Sequence, residues 1–144
     1  MSTIIYLNGP SSAGKTTLAK ALQEALEEPY LHIGIDKMIS LMPNKVNNWE
    51  GGFAPLGFSW QLDKDATGHP MYQIHLGPFA KKITRSFKDF AYLLASQDYN
   101  LIIDDVAFGG AELADWKKIL QDYKVLYVGI NTPLEILEKR ERER

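Results

Sequence analysis

A glycine-rich segment near the start of the chain has the residue types that bind phosphate. Residues 9–16 read GPSSAGKT. Glycines allow the backbone to bend so that successive N–H groups converge on an anion, and Lys15 adds a positive charge. The Thr16 hydroxyl is a ligand type that Mg²⁺ accepts. The spacing G-x-x-x-x-G-K-[ST] is that of a P-loop and predicts binding of ATP with Mg²⁺. The predicted nucleotide contacts are Gly9, Pro10, Ser11, Ser12, Ala13, Gly14, Lys15, Thr16 and Thr17.

Two carboxylates follow an apolar segment later in the chain. Asp104 and Asp105 come directly after Leu101-Ile102-Ile103. Beside a P-loop, an acid at this position holds the Mg²⁺ of the nucleotide directly or through water. We therefore predict Thr16, Asp104 and Asp105 as the metal-side residues, with Asp104 the better placed of the two acids. A pair of solvated turn residues is the alternative.

A third carboxylate, Asp36, ends the apolar segment Tyr30–Ile35. A carboxylate next to the γ-phosphate orients an acceptor hydroxyl and takes its proton during phosphoryl transfer. The alternative is a capping residue for a short helix over 37–41. The residues alone leave both interpretations open.

The elements that must position these residues alternate along the chain. Apolar, β-branched segments predict strands, and apolar residues at helical spacing predict helices. The strands are expected at 3–7, 30–35, 101–103 and 125–130, and the main helices at 14–27, 79–96 and 111–122, with a last helix after Pro133. Such alternation predicts a parallel sheet with right-handed crossovers and a ligand at the carboxyl ends of the strands. The expected fold is a three-layer α/β/α P-loop NTPase with a mostly parallel sheet, in a single domain over 1–144.

The region from about 53 to 77 interrupts this pattern. Glycine, aromatic and polar residues dominate, and two roughly alternating segments flank a turn-rich stretch, which predicts a β-hairpin insertion. Its aromatic residues have two interpretations. They form either the wall of an acceptor pocket or a cluster that packs the insertion onto the core. The aromatic residues concerned are Trp49, Phe53, Phe58 and Trp60.

The composition excludes several classes of protein. A formal net charge of −2 argues against a general nucleic-acid or anionic-membrane partner. The 144 residues contain no cysteine, which excludes disulfides and thiolate metal sites. Neither a signal segment nor an apolar run of about 18 residues is present, so a cytoplasmic location is expected. His32, inside an apolar segment, is interpreted as a core histidine.

The last seven residues, 138–144, are all charged. We interpret this as a chain that stops inside an element; a solvated helix that frays is the alternative. Arginines from a mobile segment often stabilise the charge that develops in phosphoryl transfer. Arg140, Arg142 and Arg144 are candidates for that role, although alternation with glutamates also fits a salt-bridged surface.

Five segments together resemble the chloramphenicol phosphotransferase-like proteins. They occur in the order of that family and are far more specific than the P-loop alone. They are LNGPSSAGKTT, EPYLHIGID, MPNKVNNWEGG, LIIDDVAFGG and VLYVGI. The resemblance implies a fold like that of the nucleotide and shikimate kinases and ATP-dependent phosphorylation of a small-molecule hydroxyl. Chloramphenicol is one acceptor that the resemblance implies, and antibiotic resistance is the function that would follow.

The resemblance also implies roles for individual residues. Asp36 matches the proposed catalytic base, Lys15 and Thr16 match the phosphate and metal positions, and Asp104-Asp105 matches the acidic pair. Arg140 and Arg144 resemble arginines of the family's lid. The alternative function is a nucleotide-binding regulatory module, or an ATPase without an acceptor.

The sequence departs from the family pattern in two respects. The insertion is longer and more aromatic than in the antibiotic-modifying member, so the acceptor need not be chloramphenicol. The lid and the last strand of the family are expected to be absent from this chain, which would leave a sheet edge open to association with a second copy.

Overall fold

The structure, a computed structural model, describes residues 1–107 and 109–143. These residues form two compact units. The first comprises residues 1–35 and the described part of 88–144, and the second comprises residues 36–87. The second unit is longer than the insertion predicted at 53–77, because it also includes the short helix after the second strand and the start of a long one.

The described elements follow the predicted alternation of strands and helices. The strands are β1 (Thr3–Asn8), β2 (Tyr30–Gly34), β3 (Phe58–Lys64), β4 (Pro70–Leu76), β5 (Asn100–Asp105) and β6 (Lys124–Gly129). The helices are α1 (Lys15–Ala25), α2 (Ile35–Ser40), α3 (Pro78–Ser96), α4 (Gly110–Ile119) and α5 (Leu134–Arg142), with a 3₁₀ turn at Asn44–Val46.

The first unit is built on a parallel four-stranded sheet in the order β2-β5-β1-β6. Strands β1 and β5 each have a neighbour on both sides, and this central position explains why their sequences are apolar on both faces. The register sets Leu7 opposite Asp104 of β5 and Val128 of β6. The carboxyl ends of three strands therefore lie side by side at one edge of the sheet.

Helices cover both faces of this sheet. Side chains alternate along a strand, so neighbouring residues of β1 face opposite ways. Leu7 packs in a core cluster with Ala19 of α1. Tyr6 faces the other way and lies 5.4 Å, centroid to centroid, from Trp116 of α4. The molecule is thus an α/β protein with the predicted α/β/α layers.

The second unit contains an antiparallel pair formed by β3 and β4. The Asp65 carboxylate accepts hydrogen bonds from the backbone N–H groups of Thr67 and His69 and so closes the turn between the strands. A small core lies at the other end of the pair. Its buried residues are Met42, Phe58 and Ala80.

Helix α3 passes from one unit to the other, with the boundary between Phe87 and Lys88. Its apolar side chains recur at helical spacing, and Ala80, Phe87, Ala91 and Ala95 are buried. Of the helices within the described ranges, none combines the length and the apolar character that crossing a bilayer requires.

Candidate nucleotide-binding site

The loop between β1 and α1 has a backbone that suits glycine and small residues. Ser12 has φ of 64° and Gly14 has φ of 96°, both in the left-handed region. Gly14 precedes the first residue of α1, Lys15, and its conformation turns the chain into the helix. A side chain at position 14 would be strained by roughly 1–2 kcal/mol. The backbone conformation at position 14 therefore explains why the second glycine of the P-loop pattern is needed.

The first glycine of the loop, Gly9, is required by close packing instead. A Cβ at this position would lie 3.0 Å from the carbonyl oxygen of Ile130. Ile130 itself donates its N–H to the carbonyl of Asn8 at 2.8 Å. The segment after β6 is thereby held against the start of the loop.

Lys15 directs its positive charge back along the loop. Its Nζ donates hydrogen bonds to the carbonyls of Gly9 at 2.8 Å and Pro10 at 2.9 Å, and the residue is 6% exposed. The N–H groups at the start of α1 and the helix dipole add positive potential at the same place. The loop therefore has the charge and the donors that bind the phosphates of a nucleotide.

Thr16 and Asp104 form an oxygen pair beside the loop. The Thr16 hydroxyl donates to Asp104 Oδ2 at 2.9 Å. The Nε2 atom of His32, on the neighbouring strand β2, lies 3.2 Å from the same oxygen. A hydroxyl and a carboxylate are hard oxygen donors of the kind that Mg²⁺ prefers, so this donor set fits the metal of a nucleotide. His32, predicted as a core histidine, contacts the predicted metal-side carboxylate.

Asp105 faces away from this pair. Its Oδ2 accepts hydrogen bonds from the Tyr6 hydroxyl at 3.0 Å and from Trp116 Nε1 at 2.8 Å, and the residue is 2% exposed. Burial raises the pKa of the Asp105 carboxyl, against the opposing effect of these hydrogen bonds and of the charge on Lys88. The sequence prediction grouped both acids on the metal side. The structure corrects it, because alternation along β5 puts only Asp104 beside Thr16.

Helix α5 contacts the loop with side chains of both charges. Arg140 Nη1 donates to the Ser12 carbonyl at 2.8 Å. Glu141 Oε1 accepts hydrogen bonds from the hydroxyls of Ser11 at 2.9 Å and Ser12 at 2.5 Å. Arg140 therefore contacts the P-loop. The contact by Glu141 was not predicted, and Arg144 lies outside the described residues.

Three other residues that the sequence predicted for the site, Ala13, Thr17 and Asp36, lie in different surroundings. Ala13 is buried, and its carbonyl accepts a hydrogen bond from the Thr132 hydroxyl. Thr17 is exposed in the first turn of α1. Asp36 belongs to the second unit, where it is exposed in the first turn of α2, two residues after the end of β2.

Several solved structures have a similar fold. An APS kinase of Mycobacterium tuberculosis, solved with AMPPNP and APS, matches with a TM-score of 0.65 at 18% identity, over 97% of this chain and 68% of that one. A chain of the Pnkp1/Rnl/Hen1 RNA repair complex matches with a TM-score of 0.69 at 16% identity, over 99% of this chain and 37% of that one. These similarities establish the fold.

Sequence comparison identifies the family. Two Mycobacterium tuberculosis proteins, from strains CDC 1551 and H37Rv and provisionally named O-phosphotransferases, are each 32% identical over 142 residues. The match covers 98% of this chain and 62% of theirs, so the chain spans less than two thirds of the length of these relatives. The sequence model described as chloramphenicol phosphotransferase-like protein matches residues 2–144. The chain therefore belongs to the chloramphenicol phosphotransferase-like protein family.

Proposed function

We propose that this chain carries the nucleotide-binding part of an ATP-dependent phosphotransferase. The enzyme would transfer the γ-phosphoryl group of ATP to a hydroxyl of a small molecule, either chloramphenicol-like or another alcohol. The observation that carries the proposal is the hydrogen-bonded pair of Thr16 and Asp104 next to the buried Lys15. Phosphoryl transfer by P-loop enzymes needs this combination of a phosphate-binding cation and metal-binding oxygens. The names of the mycobacterial relatives support transfer to an oxygen acceptor.

The residues of the loop have separate roles in this proposal. Lys15 would exchange its hydrogen bonds to the loop carbonyls for bonds to the phosphate oxygens. Thr16 and Asp104 would hold Mg²⁺, which neutralises charge on the β- and γ-phosphates. Arg140, already in contact with the Ser12 carbonyl, would stabilise the charge on the transferred group.

Asp36 is the proposed general base. Its carboxylate takes the proton of the acceptor hydroxyl while the hydroxyl oxygen forms a bond to the γ-phosphorus. The bond from that phosphorus to the bridging oxygen breaks, ADP leaves, and the proton passes from Asp36 to solvent. The role rests on the family pattern and on the exposed position of Asp36 just after the end of β2.

The test is transfer of label from γ-labelled ATP to a panel of chloramphenicol-like and other small alcohols. Asp36→Asn is expected to abolish transfer and to leave the dissociation constant for ATP within about twofold. Asp63→Asn, an exposed aspartate in β3, is the matched control and should leave both unchanged. Lys15→Ala should weaken ATP binding at least tenfold, a loss of about 1.4 kcal/mol or more.

Two results would contradict the proposal. If Asp36→Asn transferred phosphate at the normal rate, Asp36 would not be the base. If ATP were consumed while no alcohol in the panel gained label, the chain would be an ATPase or a nucleotide-dependent regulatory module instead.

A further inference from the structure

A cavity in the second unit is lined mainly by aromatic side chains. Its volume is about 430 Å³, which lies within the range of roughly 300–1,000 Å³ that is usual for small-molecule sites. The lining residues are Trp49, Glu50, Gly51, Trp60 and Tyr72. All of them belong to residues 36–87, so the cavity is a feature of this unit alone.

Two indole rings form a corner of this cavity. Trp49 and Trp60 lie 6.4 Å apart between ring centroids, with an angle of 70° between their planes. Trp49 is 45% exposed and Trp60 is 38% exposed, so part of each ring is open to a ligand. The electron-rich faces of tryptophan attract organic cations more strongly than those of other side chains.

The corner is held in place by the residues around it. Trp49 stacks on the buried Phe58 at 5.8 Å, with an angle of 18° between the rings. The Asn48 side chain accepts hydrogen bonds from the N–H groups of Glu50 at 2.9 Å and Gly52 at 3.2 Å. The Asn48 N–H donates to the Phe58 carbonyl at 2.9 Å. The segment carrying Trp49 and Glu50 is thus fixed to β3, and little ordering is needed on binding.

The third ring comes from the opposite strand of the antiparallel pair. Trp60 of β3 pairs with Ile74 of β4, so Tyr72 is its diagonal neighbour on the same face. The carboxylate of Glu50 adds a negative charge to this aromatic lining. Basic side chains are missing from the described lining of the cavity. Aromatic faces with a carboxylate are the combination that selects a positively charged alkylammonium group over a neutral group of the same shape.

We propose that this cavity binds a small organic cation through a cage made by Trp49, Trp60, Tyr72 and Glu50. Binding of this cation does not depend on the proposed phosphotransferase activity.

The test is a titration followed by NMR of the tryptophan indole N–H groups. The sequence has three tryptophans, so three indole signals are expected. Choline and its neutral isostere 3,3-dimethylbutan-1-ol are the probes. We expect choline to shift the Trp49 and Trp60 signals saturably, with about tenfold tighter binding than the isostere. Trp116, buried in the other unit, is the internal reference and should not move.

Substitutions within and outside the cage distinguish binding at the cage from nonspecific binding to the protein. Trp60→Leu should abolish saturable binding, and Glu50→Gln should weaken it several-fold. Phe53→Leu and Asp63→Asn, exposed residues of the same unit outside the cavity lining, should bind choline normally. Unchanged backbone amide signals of Thr67 and His69, in the hairpin turn of the same unit, show that the unit is folded in each variant. Equal binding of choline and the neutral isostere would overturn the proposal, and so would shifts reproduced by sodium chloride alone.

The same titration distinguishes this inference from the proposed function. Lys15→Ala and Asp36→Asn should bind choline as the unmodified chain does, because neither residue lines the cavity. Choline binding without transfer of label to any alcohol of the panel would support the cage and contradict the phosphotransferase. Transfer of label to neutral alcohols without choline binding would support the phosphotransferase and overturn the cage.

Discussion

The hydroxyl of Thr16 and the carboxylate of Asp104 are joined by a 2.9 Å hydrogen bond, although 88 positions separate them in the chain. Thr16 is fixed by the first turn of α1, and Asp104 by the pairing of β5 with β1, which sets it opposite Leu7. Two elements that pack independently of any ligand therefore supply the two oxygens. Under the proposed function, such preorganisation would lower the cost of binding a metal ion with the nucleotide.

Removing the His32 side chain should weaken magnesium binding through Asp104. His32 Nε2 lies 3.2 Å from Asp104 Oδ2, and groups that hold a metal ligand in place typically contribute a factor of about 10–100 in metal affinity. We expect His32→Leu to raise the Mg²⁺ concentration needed for nucleotide binding at least tenfold. His32→Gln, which keeps a donor, should recover part of the loss.

The measurement is a Mg²⁺ titration monitored by a fluorescent ATP analogue. His69→Leu is the control, because its imidazole is exposed in the hairpin turn. A His32→Leu variant that folds normally and binds Mg²⁺ as well as the original chain would show that Asp104 needs no support from His32.

Neutralising Glu141 should strengthen nucleotide binding. Its carboxylate accepts hydrogen bonds from Ser11 and Ser12 and so brings a negative charge to the loop that receives the phosphates. Like charges repel, and the serine hydroxyls are occupied until that contact is broken. Glu141→Gln is expected to lower the ATP dissociation constant by about two- to tenfold in calorimetry at low salt. Glu138→Gln, also exposed on α5, should have no effect; equal effects of the two substitutions would mean that only net charge matters.

The stability of the first unit should respond to pH through Asp105. Burial raises the folded-state pKa of this carboxyl above its unfolded value of about 3.9. Between the two values the folded state holds more protons, so the Asp105 contribution to the free energy of unfolding falls as the pH rises from about 4 through the raised pKa. Asp105→Asn removes this titration while keeping an oxygen acceptor for Tyr6 and Trp116.

Urea unfolding at a series of pH values from 4 to 8 checks this prediction. The free energy of unfolding of Asp105→Asn, minus that of the original chain, should increase with pH across the window. Asp122→Asn, an exposed substitution in the same unit, should give a difference independent of pH. If the difference for Asp105→Asn stayed constant or decreased with pH, the pKa of Asp105 would not be raised in the folded state.

Replacing Ser59 by alanine should stabilise the protein. Its Oγ atom is buried and has no hydrogen-bond partner among the described residues. A buried unsatisfied polar group costs about 1–3 kcal/mol, and replacement by an apolar group of similar size removes that cost. We expect Ser59→Ala to raise the free energy of unfolding by about 1 kcal/mol in urea titration. Ser40→Ala is the control, because the Ser40 hydroxyl is exposed and bonds to the Lys37 carbonyl. If Ser59→Ala destabilised the protein, the Ser59 hydroxyl would make a contact that the folded state needs.

The sequence predicts the position of the loop between β1 and α1 and the need for glycine in it. The P-loop is defined by residues close together in the chain, and its glycines have conformational and packing reasons that a pattern captures. The parallel sheet and its helices follow from periodicity in the same way. Asp104 was predicted as the better metal-side acid, and it is the one that lies beside Thr16.

Features that depend on the order and register of the strands were harder to predict. A central strand is apolar on both faces, so the sequence of β5 does not show which face each side chain takes. This is why Asp105 was grouped with Asp104 and why the contact of His32 with Asp104 was missed. The pairing of β2 with β5 contains that information, since His32 lies opposite Ile102 on the α1 face. The Glu141 contact depends on how α5 packs, which charge alternation alone does not reveal.

The opposite orientation of Asp104 and Asp105 has a consequence for the evolution of this strand. Insertion or deletion of one residue in β5 would exchange the two carboxylates. Asp104 would then leave Thr16 and face Tyr6 and Trp116, which bond to Asp105 in the present register. Natural members of this lineage should therefore vary in length on either side of β5, and an engineer grafting loops should treat Leu101–Asp105 as a segment of fixed length.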